Sequence, residues 1–221
     1  MAGFRNIIEK DDRMLFARWL RNPLKIGAVV PSGVALARAV AAEIDIARPG
    51  AVVELGGGTG SVTRALLAAG IPPADLVVVE RDATLYRLLH ERFPGVHVIH
   101  GDATRLPRLL ARAGIGPVKA VVSGLPLLAM PPKVQLAILL GSFQAMLEDG
   151  AFIQFTYGPK SPVPERLARR LGLTGRIVGR IWLNMPPAAI WRFVAAARVP
   201  AEPRRVKGGA RQAEIEPAAV L

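Results

Sequence analysis

A glycine-rich segment that follows a predicted buried strand is the strongest constraint on the fold. The segment AVVELGGGTG covers residues 51–60, and a helical pattern begins at Ser61. Glycines at alternate positions let the backbone turn sharply and approach a ligand closely. A dinucleotide-binding loop would have its third glycine at position 61, so the GxGxG spacing instead predicts S-adenosylmethionine binding, with a purely structural glycine cluster as the alternative. The predicted cofactor contacts here are Glu54, Gly56, Gly58, Thr59 and Gly60.

Short apolar runs alternate with helical patterns between residues 51 and 157. Strands covered on both faces have a β-branched, apolar composition, which recurs in AVVEL, LVVVE, VHVIH, KAVVSGL and GAFIQFTY. This alternation predicts an α/β fold with a parallel sheet. Two more strand-like runs, GRIVGRIWL and AIWRFVAAA, flank the segment NMPPA, whose prolines and asparagine favour a tight reversal. We therefore predict a C-terminal antiparallel hairpin.

Acidic side chains follow the second and third predicted strands. The second strand ends in Glu80, about 20 residues after the glycine loop, where a carboxylate can accept hydrogen bonds from ribose hydroxyls. The third strand runs into Gly101, Asp102 and Ala103. An aspartate at this edge can accept a hydrogen bond from the exocyclic amine of adenine, and the alanine leaves room for the ring. Arg81 is also predicted to contact the cofactor, with a plain surface charge as the alternative.

The fourth predicted strand ends in Ser123, Gly124 and Leu125, which we assign to catalysis, with Ser123 also near the cofactor. Methylation of an amine needs an unprotonated nitrogen in line with the sulfonium methyl group, so carbonyl groups and a hydroxyl that orient its N–H groups are sufficient. Methyltransferases that act on planar bases commonly place a stacking aromatic residue here. This chain has leucines instead, which disfavours a purine and favours a flexible alkylamine.

Five segments, in this order, resemble the bacterial phosphatidylethanolamine N-methyltransferases of the soluble, class I type: VVELGGGTG, VVVERD, HGDATRL, VVSGLPLLAMP and FIQFTYGPKSPVP. The resemblance covers roughly residues 15–198, and its cofactor half is similar to the ribosomal RNA adenine dimethyltransferases. It implies a Rossmann-like class I methyltransferase with a seven-stranded, mostly parallel sheet. It also implies three successive methyl transfers from S-adenosylmethionine that convert phosphatidylethanolamine to phosphatidylcholine.

The resemblance also implies a role for two residues before the first strand. In the similar families, the segment before the first strand closes over the cofactor, which would place Pro31 and Ser32 near its methionine end. Tyr157, at the end of the fifth predicted strand, lies at the edge of the sheet where ligands bind in open α/β folds, so we assign it to the catalytic site as a contact to the lipid head group, either through its hydroxyl or by cation–π attraction to the methylated amine. A tyrosine that only packs the loop is the alternative for Tyr157.

The N-terminal segment has the pattern of a basic amphipathic helix that contains tryptophan and phenylalanine, which is typical of an interfacial membrane anchor. A helix that covers the cofactor as a lid is the alternative. Residues 1–25 carry six basic and three acidic side chains, residues 26–158 eleven and ten, and residues 159–221 twelve and four. Basic ends around a nearly neutral centre indicate an anionic partner.

We divide the chain into an amphipathic N-terminal helix at 1–25, a methyltransferase domain at 26–198 and a disordered basic tail at 199–221. No stretch reaches the roughly 18 consecutive apolar residues of a spanning helix, and the first residues lack the apolar centre of a secretory signal. We therefore expect a cytoplasmic monomer that binds the inner face of the cell membrane, with an anionic membrane surface and phospholipid as its partners.

Two other functions fit parts of the pattern. A nucleic-acid methyltransferase such as an rRNA adenine N-methyltransferase would explain the basic ends, but it would not explain the leucines after the fourth strand, so no nucleic-acid partner is expected. If the protein were a non-catalytic membrane-binding module, its cofactor-binding residues would be expected to be altered, whereas they are intact here. The chain has no cysteine, and His97 and His100 would face opposite sides of a strand, so no metal site is expected either.

Overall fold

The structure is a computed structural model that describes residues 36, 38–157, 160–181 and 188–196. The predicted N-terminal helix, the contacts at Pro31 and Ser32, and the C-terminal tail lie outside the described residues. The side chain of Tyr157 also lies outside them, although its backbone belongs to a strand. The proposed domain boundaries therefore stay predictions.

The described residues form a seven-stranded sheet in which five parallel strands precede an antiparallel hairpin. The spatial order is β3-β2-β1-β4-β5-β7-β6. The strands are β1 Ala51–Leu55, β2 Leu76–Glu80, β3 His97–His100, β4 Val118–Ser123, β5 Met146–Tyr157, β6 Leu173–Ile181 and β7 Ala188–Ala195. This topology confirms the predicted α/β class, the seven strands and the C-terminal antiparallel hairpin.

Strand β7 lies between β5 and β6 and is antiparallel to both. One prediction is wrong at a boundary, because the helical pattern PKVQLAILLGSFQAML includes residues 146 and 147, whereas the helix ends at Ala145. Met146 instead pairs with Val118 of β4, and a register shift follows on that strand. Pairing along the sheet thus overrides the helical periodicity at this point.

The α-helices whose bounds are described cover the two faces of the sheet: α1 Ser61–Ala68, α2 Ala83–Arg92, α3 Leu106–Arg112, α4 Pro132–Ala145 and α5 Glu165–Leu171. Helical residues 38–41 pack on the face of α1 and α2. Alternate strand residues point to opposite faces, so Val52, Val78 and Val122 pack with α1 and α2. Val53, Val121 and Phe152 pack with α3, α4 and α5 on the other face. None of these helices is long and apolar enough to cross a bilayer.

Candidate active site

The loops that follow β1, β2, β3 and β4 meet at one edge of the sheet because these strands are parallel. Backbone hydrogen bonds continue the pairing into the loops: Gly56 N–H donates to the Val79 carbonyl at 2.9 Å, and Gly124 N–H to the Leu55 carbonyl at 2.9 Å. The predicted site residues at the ends of these strands are therefore brought together. Ligands of open α/β folds bind at this edge.

The glycine loop after β1 packs tightly against other residues at Gly56 and Gly60 and borders open space at Gly58. Gly56, Gly58 and Gly60 all have left-handed backbone angles, with φ values of 78°, 55° and 82°. A Cβ atom at Gly56 would lie 2.7 Å from Leu125 Cδ2, and one at Gly60 would lie 2.3 Å from Phe93 Cε2. A Cβ atom at Gly58 would have no neighbour within 4 Å among the described residues. Gly58 is thus the position where the loop faces space that a ligand can occupy.

Gly57 and Arg92 also shape this loop, and the sequence did not reveal either contact. Gly57 is packed, because a Cβ atom there would lie 2.4 Å from Val78 Cγ1 and 2.8 Å from Leu89 Cδ1. The carbonyl of Thr59 accepts a hydrogen bond from Arg92 Nη1 at 2.8 Å, so α2 holds the tip of the loop.

Glu80, at the end of β2, joins the glycine loop to the start of α2. Its Oε2 accepts the Gly58 N–H at 3.0 Å and its Oε1 accepts the Asp82 N–H at 2.8 Å. A carboxylate can accept about four hydrogen bonds, so each oxygen keeps capacity for a ribose hydroxyl. The carboxylate therefore orders the loop, a role that was missed from the sequence, and its predicted contact with the ribose stays a prediction.

Asp102 is ordered by hydrogen bonds from the residue two positions after it. Its Oδ1 accepts Thr104 N–H at 2.9 Å and Thr104 Oγ1–H at 2.8 Å, and a short 3-10 helix begins at Ala103. Partial burial acts to raise the pKa of Asp102, but the Thr104 hydrogen bonds and the charges of Arg81 and Arg105 outweigh it and lower the pKa below its ordinary value. The carboxylate is therefore ionised at neutral pH, and its predicted hydrogen bond to the exocyclic amine of adenine stays a prediction. Gly101 N–H bonds the Glu80 carbonyl at 3.0 Å and fixes the turn.

Glu54 lies beneath the glycine loop rather than at its surface. Its side chain is 1% exposed and accepts a hydrogen bond from Thr63 Oγ1 of α1 at 2.6 Å. Burial raises the pKa of Glu54 to about 8; the negative charge of Glu80 adds to this rise, and the Thr63 hydrogen bond opposes it. Glu54 thus links β1 to α1, its burial favours the neutral carboxyl, and its predicted contact with the cofactor stays a prediction.

The residues at the end of β4, Ser123, Gly124 and Leu125, border the glycine loop. Ser123 is fully buried and its Oγ accepts the Leu125 N–H at 3.3 Å. Gly124 is tightly packed, since a Cβ atom there would lie 3.1 Å from the Gly56 carbonyl oxygen. The Leu125 carbonyl accepts a hydrogen bond from Gln154 Nε2 at 3.0 Å. Gln154 was missed, although an amide within the apolar strand FIQF was a visible signal.

These features fit S-adenosylmethionine, because an open glycine, two acidic acceptors at consecutive strand ends and a carbonyl-bearing loop meet at one edge. When bound, this cofactor supplies an electrophilic methyl group. The fold and the site together define the class I S-adenosylmethionine-dependent methyltransferases.

Comparison with known proteins agrees with this class. No protein-family model matches the chain. An ornithine lipid N-methyltransferase from Singulisphaera acidiphila is 32% identical over 153 residues, which are 68% of this chain and 80% of that protein. A ribosomal RNA small subunit methyltransferase A from a Synechococcus strain is 48% identical over 64 residues, but these cover 28% of this chain and 22% of that protein.

Among solved structures, the Burkholderia thailandensis 1,6-didemethyltoxoflavin-N1-methyltransferase, determined with bound S-adenosylhomocysteine, has a TM-score of 0.59. It is 14% identical and aligns with 88% of this chain and 90% of its own, so it shows the shared fold. The chain belongs to the S-adenosylmethionine-dependent methyltransferase family that includes the Singulisphaera ornithine lipid N-methyltransferase.

Proposed function

We propose that this methyltransferase acts at a membrane surface on the head-group amine of phosphatidylethanolamine and its mono- and dimethyl derivatives, giving phosphatidylcholine. The observation that carries a lipid substrate is the relative named as a lipid N-methyltransferase, which matches over 80% of its length. The loop after β4 supports an alkylamine, because leucines stand where an aromatic residue would stack on a base.

Ornithine lipid is the second candidate substrate, since the relative is named for it. Both candidates carry an amine on a short chain near an anionic group, a phosphate in one and a carboxylate in the other. The described residues of the site are compatible with either. Ribosomal RNA is less well supported, because the match to the RNA enzyme covers 22% of that protein.

The described residues suggest how an amine is held. The Leu125 carbonyl already accepts from Leu127 N–H at 2.9 Å and from Gln154 Nε2 at 3.0 Å, so it orders the turn after Ser123. We propose the neighbouring Gly124 carbonyl as the acceptor for an amine N–H. The amine must reach the site neutral, with its lone pair free to attack, so its extra proton passes to water before methyl transfer. Tyr157 ends β5 beside this loop, and we propose it as the contact to the head group.

Membrane binding is proposed to come from the N-terminal segment. Its basic, tryptophan-bearing pattern suits reversible attachment to the anionic inner face of a cell membrane, with the protein as a monomer in the cytoplasm. Deletion of residues 1–21 should lower sedimentation with anionic liposomes while S-adenosylmethionine binding is retained. Unchanged sedimentation would remove this part of the proposal.

The deciding experiment offers labelled S-adenosylmethionine to liposomes that contain phosphatidylethanolamine, to liposomes that contain ornithine lipid, and to ribosomal RNA in separate reactions. Label in phosphatidylethanolamine, resolved into mono-, di- and trimethylated products, supports the first proposal. Label in ornithine lipid alone would show that ornithine lipid is the substrate. Label in RNA alone overturns the lipid function.

A further inference from the structure

The end of the sheet formed by α5 and β6 carries an excess of positive charge. Residues 160–181 contain six basic side chains and one acidic side chain. We call the six basic residues the basic edge, and all of them are exposed: Lys160, Arg166, Arg169, Arg170, Arg176 and Arg180. The acidic residue is Glu165, whose Oε1 accepts a hydrogen bond from Arg169 Nη1 at 2.7 Å. Five positive charges of this segment therefore have no acidic residue within it.

The charge of Arg176 does not stabilise the sheet. Arg176 of β6 is the register partner of Arg192 of β7, and like charges directly opposite each other on neighbouring strands are destabilising. Arg192 Nη1 donates to the Glu43 carbonyl at 2.7 Å, whereas Arg176 is exposed and has no acidic partner in the described part of the chain. A charge that weakens the fold at this position indicates a role toward another molecule.

Protection of an edge strand explains only part of the basic edge. Strand β6 is the last strand in the sheet order, and charged side chains on such strands discourage pairing with another chain. This accounts for Arg176 and Arg180, but not for Arg166 and Arg170, which lie on α5. Because α5 packs against β6, the helix and the strand form one basic surface.

The basic edge extends to the side of the sheet that contains the candidate active site. Strand β7 is antiparallel to both β5 and β6, so β5 and β6 run in the same direction. Tyr157 at the end of β5 and Ile181 at the end of β6 are both register partners of Ala188. Arg180 thus lies toward the carboxyl ends of the parallel strands, where the glycine loop and Ser123 also lie. A surface that binds along β6 would reach this side of the molecule.

The chain itself offers no complementary segment outside the described residues. Residues 1–35 carry six basic and three acidic side chains, and residues 197–221 carry five and three. Both terminal segments are therefore positively charged, like the basic edge, and do not complement it. The partner is an anion from outside the chain.

Lipid and RNA are the two anionic partners to consider, and the composition of the edge favours lipid. Residues 160–181 contain no aromatic side chain, whereas proteins that bind single-stranded RNA generally stack its bases on aromatic rings. An anionic membrane surface is bound through the summed charge of basic residues and needs no such contacts.

We propose that the basic edge binds the head groups of anionic phospholipids and orients the folded domain on the membrane. This surface acts in addition to the N-terminal segment, and the preference for lipid over RNA rests partly on the proposed function. Each basic side chain near an anionic membrane surface strengthens binding by about fivefold, and salt weakens this attraction.

The test is the triple variant Arg166→Gln, Arg170→Gln and Arg176→Gln, which removes three charges and keeps polar, unbranched side chains. The full-length protein is sedimented with phosphatidylcholine vesicles that contain phosphatidylglycerol, at about 0.15 M salt. We expect the partition coefficient of the variant to be roughly 100-fold below that of the wild type. Absence of wild-type binding to these vesicles would overturn the proposal.

The triple variant Arg64→Gln, Arg87→Gln and Arg112→Gln is the matched control. These arginines are exposed on α1, α2 and α3, and they have no acidic partner among the described residues. The control removes the same amount of charge, but charges far from the bound membrane are screened, so the loss should be less than about threefold. Equal losses in the two triple variants would show that total charge governs binding, and would overturn the proposal.

Two measurements separate loss of lipid binding from other effects. Calorimetric titration with S-adenosylhomocysteine establishes whether the variant is folded. If it does not bind this product, the double variant Arg166→Gln and Arg170→Gln provides the second test, with an expected loss of roughly 25-fold. Size-exclusion chromatography detects self-association. A variant that self-associates and keeps wild-type binding to vesicles would show that the arginines only protect the edge strand, which would overturn the proposal.

A ribosomal RNA fragment serves as the parallel probe. Loss of RNA affinity in the edge variant, with unchanged vesicle binding, would replace the lipid by RNA and overturn the proposal. Sedimentation requires no methyl transfer. Failure of the wild type to label any lipid would therefore overturn the proposed function, whereas the vesicle result would still decide whether the basic edge binds lipid.

Discussion

The two halves of the site differ in how their buried polar groups are satisfied. On the cofactor side, Glu54 bonds Thr63, and Glu80 bonds two backbone N–H groups. On the acceptor side, Gln154 Oε1 and Trp191 Nε1 are buried without partners in the described part of the chain. The buried carboxylates of the cofactor side find donors within the chain, whereas the acceptor side keeps one acceptor and one donor unpaired on neighbouring strands, where Gln154 of β5 is the register partner of Trp191 of β7. The cofactor side is therefore ordered by its own hydrogen bonds to a degree that the acceptor side is not.

The largest effect is expected for Glu80→Ala, which removes the acceptor on the cofactor side that orders the loop. The variant leaves Gly58 N–H and Asp82 N–H unpaired and takes away the capacity to bind ribose hydroxyls. Hydrogen bonds to a charged group contribute about 1.5–3 kcal/mol each, so S-adenosylmethionine affinity should fall by roughly 100-fold. Calorimetric titration measures this loss, and unaltered affinity would show that the carboxylate only supports the loop.

A smaller loss of affinity is expected for Gly58→Ala, with Gly114→Ala as its control. Both glycines have left-handed backbone angles, φ 55° and 65°, and a Cβ atom at either has no described neighbour within 4 Å. The backbone cost should therefore be similar, roughly 1–2 kcal/mol in unfolding free energy. Only Gly58→Ala places a methyl group in the cofactor space, so only it should weaken cofactor binding, by about tenfold. Equal affinities in the two variants would show that the cofactor does not contact Gly58.

Glu54→Gln should change how stability depends on pH. Burial raises the pKa of Glu54 from 4.5 to about 8, so between these values the folded chain holds a proton that the unfolded chain lacks. Wild-type stability should therefore fall as pH rises across this interval, by at most about 1.4 kcal/mol per pH unit from this group. Glutamine is neutral throughout, so the melting temperature of the variant should exceed that of the wild type more at pH 8 than at pH 5. A parallel pH dependence in both proteins would contradict the burial of an ionisable group here.

The smallest effect is expected for Trp191→Phe on the acceptor side. Its indole Nε1 has no partner among the described residues, so the exchange loses no hydrogen bond and removes a buried unpaired donor. The ring also stacks on Phe193, with centroids 6.0 Å apart, and phenylalanine can keep this contact. Unfolding free energy should change by less than about 1.5 kcal/mol, as measured by urea denaturation. A larger loss would show that the indole N–H is bonded after all, for example to the Gln154 amide, its register partner on β5.

Much of the cofactor side was predictable because its signals are local. The GxGxG spacing, Glu80 and Asp102 each follow a short apolar strand, and parallel strands bring their carboxyl ends to one edge. The mostly parallel sheet followed from the alternation of strands and helices, and its seven strands with an antiparallel last strand followed from the family resemblance, but the strand order came only from the structure. Gln154 was missed because its partner, the Leu125 carbonyl, is 29 residues away and becomes a neighbour only when β4 and β5 pair.

The sequence alone determined the α/β class, the C-terminal hairpin and the residues at the ends of the first four strands, because periodicity and glycine spacing depend on neighbouring residues. Only the tertiary structure decided the role of each residue. It buried Glu54 and raised its pKa, gave Glu80 two loop N–H groups, and left Gln154 Oε1 without a donor. These outcomes depend on which distant groups surround a side chain, and that environment arises only when the sheet is assembled.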